Sequence, residues 1–148
     1  MVHALEEIHR LLKPTGTLID IHPVAESSPM ELHQHEKIDL VGSLSVRQWC
    51  IDYQQADNAL SEITRRGLFA VERKDVFDSL THYTSVEEMR TDQINAINKF
   101  ARDAQSASEG VPDVEALAVR ADALMQTAAS GAELIIRERV HISRLKPT

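Results

Sequence analysis

Apolar residues recur at helical spacing at the start of the chain: Leu5, Ile8 and Leu12, with Glu6 and Glu7 early and Arg10 and Lys13 late, the charge order that a helix dipole favours. Pro14 and Gly16 close that helix. The β-branched run at 17–21 predicts a strand with Leu18 on one face and Ile19 and Ile21 on the other, so a strand covered from two sides is expected. His22-Pro23 is expected to stop it, and 25–29 has the composition of a loop. Residues 30–34 and 37–44 are predicted to pair as a hairpin around His35-Glu36, although that turn lacks an Asn-Gly type of signal.

Tyr53, Ala56, Leu60 and Ile63 mark a second helix, stopped at Gly67 behind Arg65 and Arg66. Residues 68–73 and 76–83 are strand-like and fit either one long bulged strand or a hairpin. Ser85 with Glu88 makes a capping box that opens a third helix, its stripe running through Val86, Met89, Ile97, Phe100 and Ala104. A loop is expected at 106–110. Pro112, Asp113 and Glu115 suit the first turn of a fourth helix with Val114, Leu117, Ala121, Leu124 and Ala128 on its face, ending at Ser130-Gly131. The last element alternates Leu134, Ile136, Val140 and Ile142 against Arg137, Arg139, His141 and Ser143, a period of two that predicts a strand with its apolar side buried. The element order implies one α/β or α+β domain over 1–148, with about four helices covering a small sheet of mixed or antiparallel strands.

Composition narrows the function classes. The chain has 148 residues, 43% of them hydrophobic and 26% charged, which is ordinary for a folded domain. A net charge of -7 with scattered Lys and Arg argues against nucleic acid as a partner. No segment resembles a secretory leader or a membrane span, so a cytoplasmic protein without a membrane partner is expected. The lone Cys50, beside Trp49, is expected to serve packing.

The segment Ala4-Leu5-Glu6-Glu7-Ile8-His9-Arg10-Leu11-Leu12-Lys13-Pro14-Thr15-Gly16-Thr17-Leu18 resembles the helix, Lys-Pro-Gly-Gly turn and fifth strand of class I S-adenosylmethionine-dependent methyltransferases, with Thr15 in place of the usual first glycine. Ala56 to Leu60 with Arg66-Gly67-Leu68-Phe69 is similar to the family's next helix entering its sixth strand. Phe77 to Tyr83 is similar to the continuation of that strand, and Glu133 to Leu145 to the antiparallel seventh strand. The resemblance implies part of a Rossmann-like sheet in which strand five lies beside strand seven, with the carboxyl end of strand five, here Asp20 to Pro23, bordering the substrate pocket.

The family's cofactor pocket needs a Gly-rich loop that lets backbone approach the ligand closely. Glycines stand at 16, 42, 67, 110 and 131, so no Gly-x-Gly pair exists. The expectation is therefore the C-terminal half of such a fold, without the cofactor half: non-catalytic by itself, binding no cofactor alone, and oligomeric or structural. Alternatively it is part of an enzyme whose S-adenosylmethionine-binding half is separate or lost, or a small-molecule or metal-binding domain. The unpaired edge of the strand at 17–21 should be covered by the 30–44 insert, by a second copy in a homodimer, or by the separate half.

Candidate chemistry is concentrated in histidines and acids. His22 occupies the substrate-side position implied by the resemblance, with Asp20 and Tyr53 as further substrate-side candidates; a histidine before proline is more commonly a hydrogen-bonding strand stop. Asp20, Asp52, Tyr53 and His82 contain the groups for an acid/base pair if the fold assembles them. His33 and His35, flanked by Glu31 and Glu36, have metal-ligating residue types, as does a solvated polar face.

Overall fold

A computed structural model of the chain describes residues 1–103 and 113–148. In chain order the described elements are α1 (Val2–Leu11), β1 (Leu18–Pro23), β2 (Ser28–Gln34), β3 (Lys37–Leu44), α2 (Arg47–Arg65), β4 (Phe69–Tyr83), α3 (Val86–Asp103), α4 (Val114–Met125) and β5 (Glu133–Pro147). Among the described residues this is a mixed α/β structure of four helices and a five-stranded antiparallel sheet, in which β5 pairs with β1, β2 and β4, and β2 also pairs with β3. The chain forms two compact units, and β4 and β5 give residues to both.

The first unit comprises Met1–Ala25, Trp49–Asp78 and Arg139–Thr148. Its core is Leu5 from α1, Ala59, Leu60 and Ile63 from α2, Phe69 from β4 and Leu145 from β5, with Leu12 and Leu18 packed against them. Leu5, Leu60 and Ile63 are the periodic residues that predict the two helices, so each helix buries the stripe written in its sequence. The stop of α2 is a matter of backbone: Gly67 has φ +71, a conformation disfavoured by any residue with a Cβ, and Leu68 N–H returns to Ile63 C=O at 3.0 Å. Lys146 Nζ donates to the carbonyls of Thr15 and Gly16 and fixes the turn between α1 and β1.

The second unit comprises Glu26–Gln48 and Ser79–Glu138. Its core joins Met30 and Leu32 of β2, Val41 and Leu44 of β3, Tyr83 of β4, Met89 of α3, Leu117 and Ala121 of α4, and Leu134 and Ile136 of β5. The hairpin turns at His35, which takes φ +52 in place of the Asn-Gly dipeptide. The N-terminus of α3 is capped reciprocally: Ser85 Oγ accepts from Glu88 N–H at 3.1 Å, and the Glu88 carboxylate accepts from Thr84 N–H at 3.1 Å. Asp113 caps α4 through Ala116 N–H at 2.9 Å. Burial pushes the Tyr83 phenol up to about 12, aided by its hydrogen bond to Asp92 at 2.5 Å, which ties β4 to α3.

At Gly42 of β3 an added Cβ would stand 2.5 Å from Leu117 Cδ2 and 2.8 Å from Arg120 Nη2. Arg120 can swing aside, but Leu117 is 2% exposed and has no room to do so. Gly42→Ala is therefore expected to destabilise the protein by about 1–3 kcal/mol through overpacking. Urea unfolding checks this, and an unchanged midpoint would show that α4 yields at this contact.

Four sequence expectations change on folding. The strand predicted at 17–21 runs on through His22 and Pro23, because both pair with β5. Two-sided cover fails for it: Ile19 is 50% exposed and Ile21 58%, since α1 and α2 pack on the Leu18 face alone. The alternatives for 68–83 resolve into one strand of 15 residues. In β5 the buried set changes parity, with Leu134, Ile135 and Ile136 buried at one end but Ser143 and Leu145 at the other. The reason is that Leu134 and Ile136 join one core while Leu145 joins the other. Ala104 and the loop expected at 106–110 lie outside the described residues.

Candidate functional site

Antiparallel pairing of β1 with β5 sets the polar residues of the first unit opposite one another. The register runs Leu18↔Leu145, Asp20↔Ser143 and His22↔His141, so these six share the face on which Leu18 and Leu145 meet α1 and α2. Directly opposed, His22 and His141 stand edge to face, with ring centroids 5.4 Å apart. Helix α2 adds Asp57, one turn ahead of the buried Leu60, on the flank that turns toward the sheet.

Asp57 Oδ1 lies 3.4 Å from His22 Nε2 and 3.4 Å from His141 Nδ1. Neither nitrogen has a hydrogen-bond partner, although both atoms are buried. On its other side, His22 Nδ1 meets Asp20 Oδ2 at 2.6 Å. A carboxylate only accepts, so in a neutral ring Nδ1 carries the proton and Nε2 turns its lone pair toward Asp57. Lys74 Nζ forms an ion pair with the same Asp57 Oδ1 at 3.4 Å. Asp57 and Lys74 also border a cleft of about 230 Å³, with Ser61, Thr64 and Ser143 on its wall.

Of the candidates read from sequence, the fold joins Asp20 to His22. Tyr53 and Asp52 sit half-buried on α2. His82 belongs to the second unit, where its Nδ1 lies 3.1 Å from Glu133, so the four groups of the envisaged acid/base pair are divided between the units. His33 and His35 also belong to the second unit: His33 is held by Glu31 at 2.7 Å, and His35 forms the exposed hairpin turn. Among the described residues, the His, Cys, Asp and Glu side chains that come together in a group of metal-binding size are His22, Asp57 and His141.

Two of those three escape a reading of the sequence. His141 falls on the side of β5 assigned to solvent, and Asp57 is one of three acids in a helix rich in polar residues. The usable signal is Leu145, four residues beyond His141 and therefore on its face of the strand. Of the described helices, none is long and apolar enough to cross a membrane. Comparison with protein-family models, with curated proteins and with solved structures finds no match in any of the three.

Proposed function

We propose that this chain carries the substrate-side strands of a class I methyltransferase-like sheet, binds no nucleoside cofactor by itself, and acts as a homo-oligomeric structural or binding protein. The observation that carries this is the passage from α1 through the Lys13-Pro14-Thr15-Gly16 turn into β1, a strand whose neighbour β5 runs antiparallel to it from Leu18↔Leu145 to Pro23↔Val140. In the family that the segment resembles, strand five lies beside an antiparallel strand seven. His22 and Asp20 then stand at the carboxyl end of β1, on the substrate side. The chain contains no Gly-x-Gly pair with which backbone would approach a pyrophosphate or nucleoside closely.

Oligomerisation follows from the sheet edge. The hairpin of β2 and β3 pairs with β5 at 133–136 and so leaves β1 at the end of the strand order, with Ile19 and Ile21 exposed. An apolar edge strand of this kind invites pairing, and a second copy across a two-fold axis is the occupant we assign to it. Solution mass by light scattering is expected at twice the 16.6 kDa of the chain, and calorimetric titration of the same sample with S-adenosylmethionine is expected to give no saturable heat. A monomer would remove the oligomer, and saturable heat would turn the proposal into its rival, a cofactor-binding enzyme component.

A further inference from the structure

We propose that His22, Asp57 and His141 form a binding site for a divalent transition-metal ion of the zinc class, with Asp20 as the outer partner that orients His22. This assignment stands on side-chain geometry alone and is independent of any relationship to methyltransferases.

The donor atoms of the three residues lie within 4.8 Å of one another. A zinc ion holds nitrogen and oxygen ligands at about 2.0–2.1 Å in a tetrahedron, which sets neighbouring donors about 3.3 Å apart. The two contacts of Asp57 Oδ1, to His22 Nε2 and to His141 Nδ1, are both 3.4 Å. That spacing is too long for a well-formed hydrogen bond and suits two donors sharing one ion. Two imidazoles and one carboxylate are a borderline-soft donor set of the kind that selects zinc, iron, nickel or copper over calcium or magnesium.

Burial and wiring point the same way. The His22 side chain is 9% exposed, and its Nε2 is a buried polar atom without a hydrogen bond, as is His141 Nδ1. Such atoms are rare because an unsatisfied buried polar group costs about 1–3 kcal/mol. A cation between them and Asp57 would satisfy both at once. The Asp20–His22 contact at 2.6 Å is the carboxylate–histidine arrangement that fixes the ring's tautomer and raises its basicity toward a metal.

Lys74 Nζ occupies the remaining approach to Asp57 Oδ1 and is the cation that a metal would displace; its side chain is 49% exposed, so it can turn out into solvent. Three protein ligands leave one position of a tetrahedron, which a water or a small ligand would fill from the cleft that Asp57 and Lys74 border.

Titration of the metal-free chain with Zn²⁺ by calorimetry, and with Co²⁺ by visible absorption, tests the assignment. One saturable equivalent is expected, with the intense d–d bands of a four-coordinate cobalt site. His141→Ala and Asp57→Asn should abolish it. Asp20→Asn, which removes only the outer partner, should weaken it by about 10–100-fold. Lys74→Met, which removes the competing cation, should bind at least as tightly, and His33→Ala and Cys50→Ser should bind like the native chain. Far-UV circular dichroism of each metal-free variant separates lost ligands from lost fold. No saturable binding by the native chain, or an undiminished equivalent in folded His141→Ala and Asp57→Asn, would overturn the site. Neither outcome bears on the S-adenosylmethionine titration, so the two proposals fail separately.

Discussion

Phe69→Ala is expected to destabilise the protein by about 3–5 kcal/mol, the usual cost of emptying a large aromatic site in a packed core. Phe69 begins β4 and is 1% exposed. It packs among Leu5 of α1, Ala59, Leu60 and Ile63 of α2, and Leu145 of β5. The His9 ring of α1 meets it edge to face at 5.2 Å. One side chain therefore ties two helices to two strands. The loss includes the apolar area returned to water and the contacts that its neighbours forfeit around the cavity. Against a total stability of about 5–15 kcal/mol this is a large share, corresponding to a fall on the order of 10 °C in melting temperature. Phe69→Leu keeps most of the volume and should cost about 1.5 kcal/mol or less. Urea denaturation of the two variants checks the ranking. If the alanine variant stays within about 1 kcal/mol of the native chain, α1 and α2 are not held to the sheet as described.

Glu31→Gln should have the second largest effect, about 2–3 kcal/mol at neutral pH, confined to the second unit's charge network. Glu31 Oε2 lies 2.7 Å from His33 Nε2 and accepts from Arg137 Nη2 at 2.7 Å, on a side chain only 13% exposed. Burial pushes this carboxyl up, but the hydrogen bonds from His33 and Arg137 outweigh burial and hold it below the ordinary glutamate value. A carboxyl depressed in the folded state stabilises the fold above its unfolded pKa of about 4.3, and that contribution is lost as pH falls through the folded value. The gap between native and variant should thus be full at pH 7 and close in acid. Urea midpoints measured across that range provide the check. A gap that stays constant into strong acid would mean that Glu31 acts through shape and not through charge.

Much of the fold is legible residue by residue. Leu5, Leu60 and Ile63 announce two helices and the faces they bury, Gly67 announces the stop of α2, and Ser85 with Glu88 announces the start of α3. These are local matters: helical period, capping and the sterics of a single backbone angle act within a few positions of the chain. The hairpin and the place of its turn at His35-Glu36 were legible from the two flanking strands, while the left-handed conformation of His35 was not, because that backbone region favours glycine or asparagine.

The candidate site was legible only in half. Asp20 and His22 are neighbours on one strand, and period two places them on one face without reference to anything else. Asp57 and His141 lie far off in sequence, and what brings them in is the register of β1 on β5 together with the docking of α2.

From sequence alone came the helices, the strand order along the chain, the absence of a Gly-x-Gly loop and the naming of Asp20 and His22 as candidates at the end of one strand. Only the tertiary structure decided that Ile19 and Ile21 face outward, that β5 changes its buried parity, and that two histidines and an aspartate converge. The cause is common to all three. Side-chain alternation says that a strand has two faces, but which face is covered depends on the elements that dock there, and those come from distant segments of the chain.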